Sequence, residues 1–228
     1  MATISPHLAV LPPAQRGLWP ALAPASALGL VLYGGTAIAL RLGHRASLDF
    51  DFFTERSLDK DALRAALPFI AQATILQDRP DTFTVLTSGQ APGDQVKVSF
   101  FGMITFGRVG EPDMTSDHVA QVASLNDLMA TKLKVLLQRV EAKDYLDIAT
   151  LITSGTPLDT GVAGARALFG PHFQPSESLK ALVYLQGGDL DTLPADTRTV
   201  LIDTVSAVET LPEVPIISHT LAAVSDAI

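Results

Sequence analysis

Asp49 and Asp51 stand two residues apart in Ser47-Leu48-Asp49-Phe50-Asp51-Phe52, a segment that alternates strictly between polar and apolar side chains. On a β-strand this alternation turns Asp49 and Asp51 to one face and Leu48, Phe50 and Phe52 to the other. Two carboxylates roughly 7 Å apart at the backbone can converge on one hard cation. Mg²⁺ (or Mn²⁺) suits such a pair, because it takes oxygen ligands and keeps water and phosphate in the rest of its shell. A solvated strand face carrying two surface acids is the plain alternative. Upstream, Gly34-Gly35-Thr36 follows the apolar run 28–33 and opens a segment that reads as a helix over 36–42. Glycines there let backbone approach a ligand closely, and unpaired N–H groups at a helix start attract phosphate. An ordinary tight turn would use the same residues. Between helix and strand lie His44, Arg45 and Ser47. Arg45 can grip a phosphate bidentately, whereas His44 reads as an ordinary loop histidine.

A second set of charged residues lies further on. Leu125, Leu128, Met129, Leu133, Leu136, Leu137 and Val140 follow the 3.6-residue period, so one helix from 125 to 140 is expected, with Ser124 as its N-cap. On that helix Lys132 and Arg139, seven apart, fall nearly in line, and Lys143 extends the line if the helix continues. The result would be a basic track beside the apolar stripe. Cations pairing with Glu141, Asp144 or Asp147 are the structural alternative.

These residues need elements to hold them. The pattern predicts a short N-terminal helix punctuated by Pro20 and Pro24, strands over 28–33 and 47–52, and a helix over 59–71. Strands over 74–77, 82–86 and 96–101 follow, then helices over 144–151, 161–168, 176–185 and 195–208. That order argues for an α/β or α+β fold, a sheet with helices on it, followed by a helical C-terminal layer or subdomain. The expected division is 1–123 and 124–228.

Composition narrows the function classes. The chain has 228 residues, 47% hydrophobic and 18% charged, which is the make-up of a compact protein with a sizeable core. A formal charge of −8 disfavours tight non-specific binding to nucleic acid, though a local basic track could still take one strand or one triphosphate. The absence of Cys removes disulfides, thiolate chemistry and Cys-ligated zinc. No apolar run is long enough to span a membrane and the N-terminus lacks the pattern of a secretory signal, so a cytoplasmic protein with no membrane partner is expected.

Three stretches together resemble the AbiEii/AbiGii-type nucleotidyltransferases, many of them toxins of toxin–antitoxin pairs, whose core is similar to DNA polymerase beta. They are Gly34-Gly35-Thr36-Ala37-Ile38-Ala39-Leu40, then Arg45-Ala46-Ser47-Leu48-Asp49-Phe50-Asp51-Phe52-Phe53, then Leu128-Met129-Ala130-Thr131-Lys132-Leu133 running through Arg139 to Lys143-Asp144-Tyr145-Leu146-Asp147-Ile148. The resemblance implies a polymerase-beta-like core in which Gly34, Gly35 and Thr36 cradle phosphate, Asp49 and Asp51 hold Mg²⁺, and Lys132 contacts nucleotide phosphate. Asp144 would act on the nucleotide, on a nearby base or on the positioning of Lys132. Arg45, Ser47 and Arg139 complete the expected nucleotide-binding set.

The implied reaction moves a nucleoside monophosphate from an NTP to an acceptor hydroxyl on a tRNA end, a protein or a small molecule. The toxin members further imply a cognate antitoxin as partner. One departure stands out: polymerase-beta-like enzymes usually place a third carboxylate on a later strand, and the matching segment Val96-Lys97-Val98-Ser99-Phe100-Phe101 offers Ser99 there. Asp94, Glu111 and Asp113 are the acids nearby in sequence that could substitute. A catalytically inactive nucleotide- or partner-binding relative is therefore the rival expectation, and a phosphotransferase moving the terminal phosphate is a third.

Overall fold

The computed structural model describes residues 2–88 and 94–223. It divides into two compact units, the first made of the described residues of Met1–Gly107, Glu111–Ser124 and Ser218–Ile228, the second of Arg108–Gly110 and Leu125–Ile217.

The first unit is built on a mixed sheet of eight strands: β1 (Thr3–Ile4), β2 (Val31–Tyr33), β3 (Asp49–Phe53), β4 (Thr74–Arg79), β5 (Thr82–Ser88), β6 (Gln95–Phe101), β7 (Asp113–Thr115) and β8 (Gln121–Val122). Their order is β1-β7-β8-β2-β3-β6-β5-β4. β3 runs antiparallel to β2 and parallel to β6, with Asp49 opposite Lys97 and Asp51 opposite Ser99. Helices α1 (Pro13–Leu18), α2 (Pro24–Ala27), α3 (Gly34–Leu42) and α4 (Lys60–Ala66) belong to the same unit.

Aromatic side chains fix the two faces of the sheet. Phe50 and Phe52 are fully buried on one face, where Phe52 stacks on Phe100 at 5.7 Å and Trp19 stacks on Phe50 at 5.9 Å. Each such burial stabilises the fold by roughly 1.5–3 kcal/mol. A one-residue slip of β3 would drive Asp49 and Asp51 into this core, so the register is strongly specified. On the other face Phe53 stacks on Tyr33 at 4.8 Å and meets Phe101 edge-on at 5.3 Å.

Several elements differ from the sequence pattern. Leu48 precedes the strand and is 60% exposed, so it does not join Phe50 and Phe52 inside. Strand 28–33 shortens to β2, because Gly29 turns the chain with φ +75°. The helix expected over 59–71 breaks: Asp59 caps α4 by accepting from the Ala62 N–H at 2.9 Å, but Pro68 forces Leu67 out of helical geometry and a 3₁₀ turn follows. β1, β7 and β8 span only two or three residues, too few to show alternation.

The second unit holds α5 (Leu125–Val135), α6 (Ala142–Thr153), α7 (Leu158–Phe169), α8 (Pro175–Val183) and α9 (Ala195–Ser206). Gly161 of α7 lies so close to Met129 of α5 that a Cβ would come within 2.2 Å of the Met129 side chain. Asp127, buried on α5, accepts from the N–H groups of Val109 and Gly110 at 2.7 and 3.1 Å, which fastens the short segment Arg108–Gly110 to the helices. The single helix expected over 125–140 stops early, since α5 ends at Val135 and residues 136–138 form a turn. Lys132 and Arg139 consequently do not share a helical face, and the basic track does not exist as such. Among the described residues no helix is long and apolar enough to cross a membrane.

Candidate active site

The first unit brings the glycine turn against the acidic strand. α3 begins directly after β2, and Gly34 adopts φ +74°, a conformation open to glycine and strained for other residues. A Cβ at Gly34 would lie 2.9 Å from Asp51 Oδ2, so the missing side chain is also what lets the carboxylate approach the start of the helix. The N-cap residue of α3, Tyr33, makes no side-chain capping bond. The N–H groups at a helix start of this kind are the donors that attract an anion.

Thr36 and Ser47 hold this arrangement rather than facing outward. Both are buried; their hydroxyls share a hydrogen bond of 2.7 Å, and the Thr36 hydroxyl donates to the Asp49 carbonyl. Helix α3 is thereby tied to the first residue of the acidic strand. Arg45, half-buried in the connection, donates to the Ala46 carbonyl at 3.0 Å. At the far end of α3, Gly43 stops the helix in the left-handed region and its N–H returns to the Ala39 carbonyl at 2.8 Å. Arg41 binds the carbonyls of Ala123 and Val122, each at 2.8 Å, and Asp113 at 2.8 Å.

Asp49 and Asp51 share one face of β3, as expected. Lys97, opposite Asp49 on β6, places its Nζ 2.8 Å from Asp49 Oδ2; the two side chains are 40% and 42% exposed. Ser99 is buried opposite Asp51. Among the described residues no group of three His, Cys, Asp or Glu could hold a metal ion, so Asp94, Glu111 and Asp113 do not complete a three-acid site. Asp113 is instead the partner of Arg41. Two carboxylates on one face, beside a helix start, still suit Mg²⁺, which commonly binds one or two protein carboxylates and takes its other oxygens from substrate and water. The Lys97 ammonium on Asp49 already shows this carboxylate receiving a cation.

The second unit brings Lys132, Arg139 and Asp144 together. Lys132 Nζ lies 2.6 Å from Asp144 Oδ1 and 2.7 Å from Asp147 Oδ2, and both acidic side chains are fully buried. Arg139 grips Asp144 with two bonds, Nε to Oδ2 at 2.8 Å and Nη2 to Oδ1 at 3.1 Å. The pairing alternative for these cations is what the fold adopts, extended by a Lys143–Glu141 bridge of 2.7 Å. Burial alone would raise the Asp144 pKa, but the Arg139 hydrogen bonds and the Lys132 charge outweigh it and hold the carboxyl below its ordinary value of 3.8. Burial and the Asp144 charge together push the Tyr145 phenol up.

Asp147 is a full member of this cluster, whereas the sequence pattern offers it only as one of three pairing options for the cations. Its signal was present: Asp144 and Asp147 are spaced i, i+3 on an amphipathic helix, which puts both on one face. Lys97 had no comparable signal, because its pairing with Asp49 depends on which strands lie side by side.

The nucleotidyl transferase AbiEii toxin family, of type IV toxin–antitoxin systems, matches residues 21–215. An uncharacterised protein of Aquifex aeolicus (strain VF5) is 31% identical over 119 residues, 51% of this chain and 54% of that protein, so the chain aligns with about half the length of this relative. Among solved structures, JHP933 from Helicobacter pylori is similar with a TM-score of 0.56 at 16% identity, covering 85% of this chain and 89% of that one. MenT4, a nucleotidyltransferase toxin from Mycobacterium tuberculosis H37Rv, gives a TM-score of 0.54 at 15% identity, covering 83% and 81%. At these identities the likeness is one of fold, an α+β polymerase-beta-like nucleotidyltransferase architecture. The family match takes in the acidic strand, the glycine turn before it and the Lys132 cluster, and the chain belongs to the nucleotidyl transferase AbiEii toxin family.

Proposed function

We propose that this protein transfers a nucleoside monophosphate from an NTP to an acceptor hydroxyl, releasing pyrophosphate, and that it serves as the toxin of a pair countered by a cognate antitoxin. The observation that carries the reading is the approach of Gly34 to Asp51, where a Cβ would fall 2.9 Å from the carboxylate oxygen. It supports a reading in which the start of α3 receives phosphate beside two carboxylates that receive Mg²⁺ or Mn²⁺. A divalent ion bound by Asp49 and Asp51 supplies positive charge against the phosphates. Gly34 and Gly35 offer backbone N–H groups to the triphosphate. Thr36 and Ser47 keep α3 in register with β3, and Arg45 serves as a further phosphate contact. Lys132, whose ammonium is shared by Asp144 and Asp147, is the phosphate contact that the family resemblance implies. Asp144, with Arg139 and Asp147, acts as a positioning residue for that ammonium. The acceptor is a hydroxyl of a tRNA end, a protein or a small molecule.

Pyrophosphate release measured with each NTP in the presence of Mg²⁺ tests the reading. The wild-type protein is expected to release pyrophosphate with at least one NTP, and Asp51→Asn to lose the activity by two orders of magnitude or more, on the order of the losses seen when a charge-stabilising group is removed. Equal release by both proteins would sink the assignment of Asp51. Ser99 opposite Asp51 favours a second reading, an inactive nucleotide binder. Nucleotide binding by the wild type, with no pyrophosphate from any NTP, would establish that one instead.

A further inference from the structure

The cross-strand pair between Lys97 and Asp49 bears on how many metal ions the acidic face can take. β3 and β6 run parallel in register, so Asp49, Asp51, Lys97 and Ser99 form a two-by-two block on one face of the sheet. In that block Ser99, the residue opposite Asp51, is neutral and buried, and the residue opposite Asp49 is a cation. The formal charge of the four is −1 rather than the −3 that a third carboxylate would give without Lys97. Lys97 Nζ sits on Asp49 Oδ2 at 2.8 Å, within the reach of a direct ion pair, and 40% exposure leaves the pair open to solvent and to ligands. The Lys97 ammonium thus occupies one oxygen of Asp49 and leaves the other available.

We propose that Lys97 is a built-in cation that stands in for a second metal ion and restricts the Asp49/Asp51 pair to one divalent ion. The proposal rests on the reading that this pair binds metal. A second divalent ion at Asp49 would have to displace the ammonium and would find no further carboxylate among the described residues to complete its shell. With Lys97 in place, Asp51 and the other oxygen of Asp49 are the groups that would hold one divalent ion, while the ammonium, part of the chain, stays when nucleotide leaves. The ammonium also repels the divalent ion it adjoins, so affinity in the absence of nucleotide is held down. Because phosphate oxygens add their own negative charge, binding of metal and nucleotide becomes mutually dependent.

Mn²⁺ binding to the full-length protein without nucleotide, followed by the electron paramagnetic resonance of free Mn²⁺, tests this. The wild type is expected to bind one Mn²⁺ per chain. Lys97→Met is expected to bind the first ion about tenfold more tightly, the scale of removing a unit charge on the order of 5 Å from a divalent ion in a nearly aqueous dielectric. Lys97→Glu is expected to take up two ions, and Lys97→Arg to behave as the wild type. Two ions on the wild type, an unchanged or weaker affinity in Lys97→Met, or a single ion in Lys97→Glu would each overturn the proposal. Asp51→Asn separates its failure from that of the underlying site. Loss of Mn²⁺ binding in Asp51→Asn, together with no effect of Lys97→Met, removes Lys97 alone; Mn²⁺ binding that survives Asp51→Asn, or is absent from the wild type, removes the metal site as well.

Discussion

Two lysines of this protein meet aspartates at nearly the same distance and in opposite surroundings. Lys97 meets Asp49 at 2.8 Å on the open face of a sheet, with both side chains about two-fifths exposed. Lys132 meets Asp144 at 2.6 Å and Asp147 at 2.7 Å with both carboxylates fully buried. Distance alone would rank them as equals. Their energetics diverge because water screens the first pair and not the second: an exposed pair is worth up to about 1 kcal/mol, whereas breaking a buried one leaves an uncompensated charge and costs about 3–5 kcal/mol. The first arrangement keeps carboxylate oxygens within reach of a ligand. The second suits an ammonium that has to stay where it is.

The largest expected effect breaks the buried side of this contrast. Asp147→Ala removes one of the two carboxylates that neutralise Lys132 and should lower stability by about 3 kcal/mol, read from the midpoint of urea unfolding. A loss below about 1 kcal/mol would put the buried cluster in the same class as the surface pair.

A smaller effect sharpens the same contrast through pH. The folded-state pKa of Asp144 lies below its ordinary value of 3.8, so its contribution to stability is fully present above that value and is lost as pH falls through the lower, folded-state one. Unfolding followed across acid pH should therefore show a flatter loss of stability below pH 3.8 in Asp144→Asn than in the wild type. Identical acid slopes would mean that the carboxylate titrates alike in both states.

The smallest effect lies on the exposed side. Lys97→Met should change stability by less than about 1 kcal/mol in the same urea experiment. A destabilisation of several kcal/mol would give the surface pair the structural weight assigned here to the buried one.

The acidic strand and glycine turn were legible from the residues because they depend on local periodicity. Alternation over 49–52 decided which side chains share a face, and the buried phenylalanines confirm the side chosen. Gly34 announced a turn, although the approach of Asp51 to it required knowing that β2 and β3 are neighbours. The helical half was legible in outline, since α6, α7, α8 and α9 fall close to the expected spans. The break after Val135 was not, because the apolar period runs on through Leu136, Leu137 and Val140 while the chain turns. Beyond the turn, the start of α6 is held from afar: its Ala142 N–H donates to Asp189 Oδ1 at 2.6 Å from 47 residues away.

By itself the sequence determined the face on which Asp49 and Asp51 lie, the glycine bend before α3 and the general alternation of strands followed by helices, since each depends on residues a few positions apart. Only the tertiary structure decided that Ser99 and Lys97 sit opposite the two aspartates, that Thr36 and Ser47 serve the scaffold through their hydroxyls, and that Asp147 shares Lys132 with Asp144. Those outcomes depend on strand order and on which charges lose their water when elements meet, and neither quantity is carried by any stretch of chain taken alone.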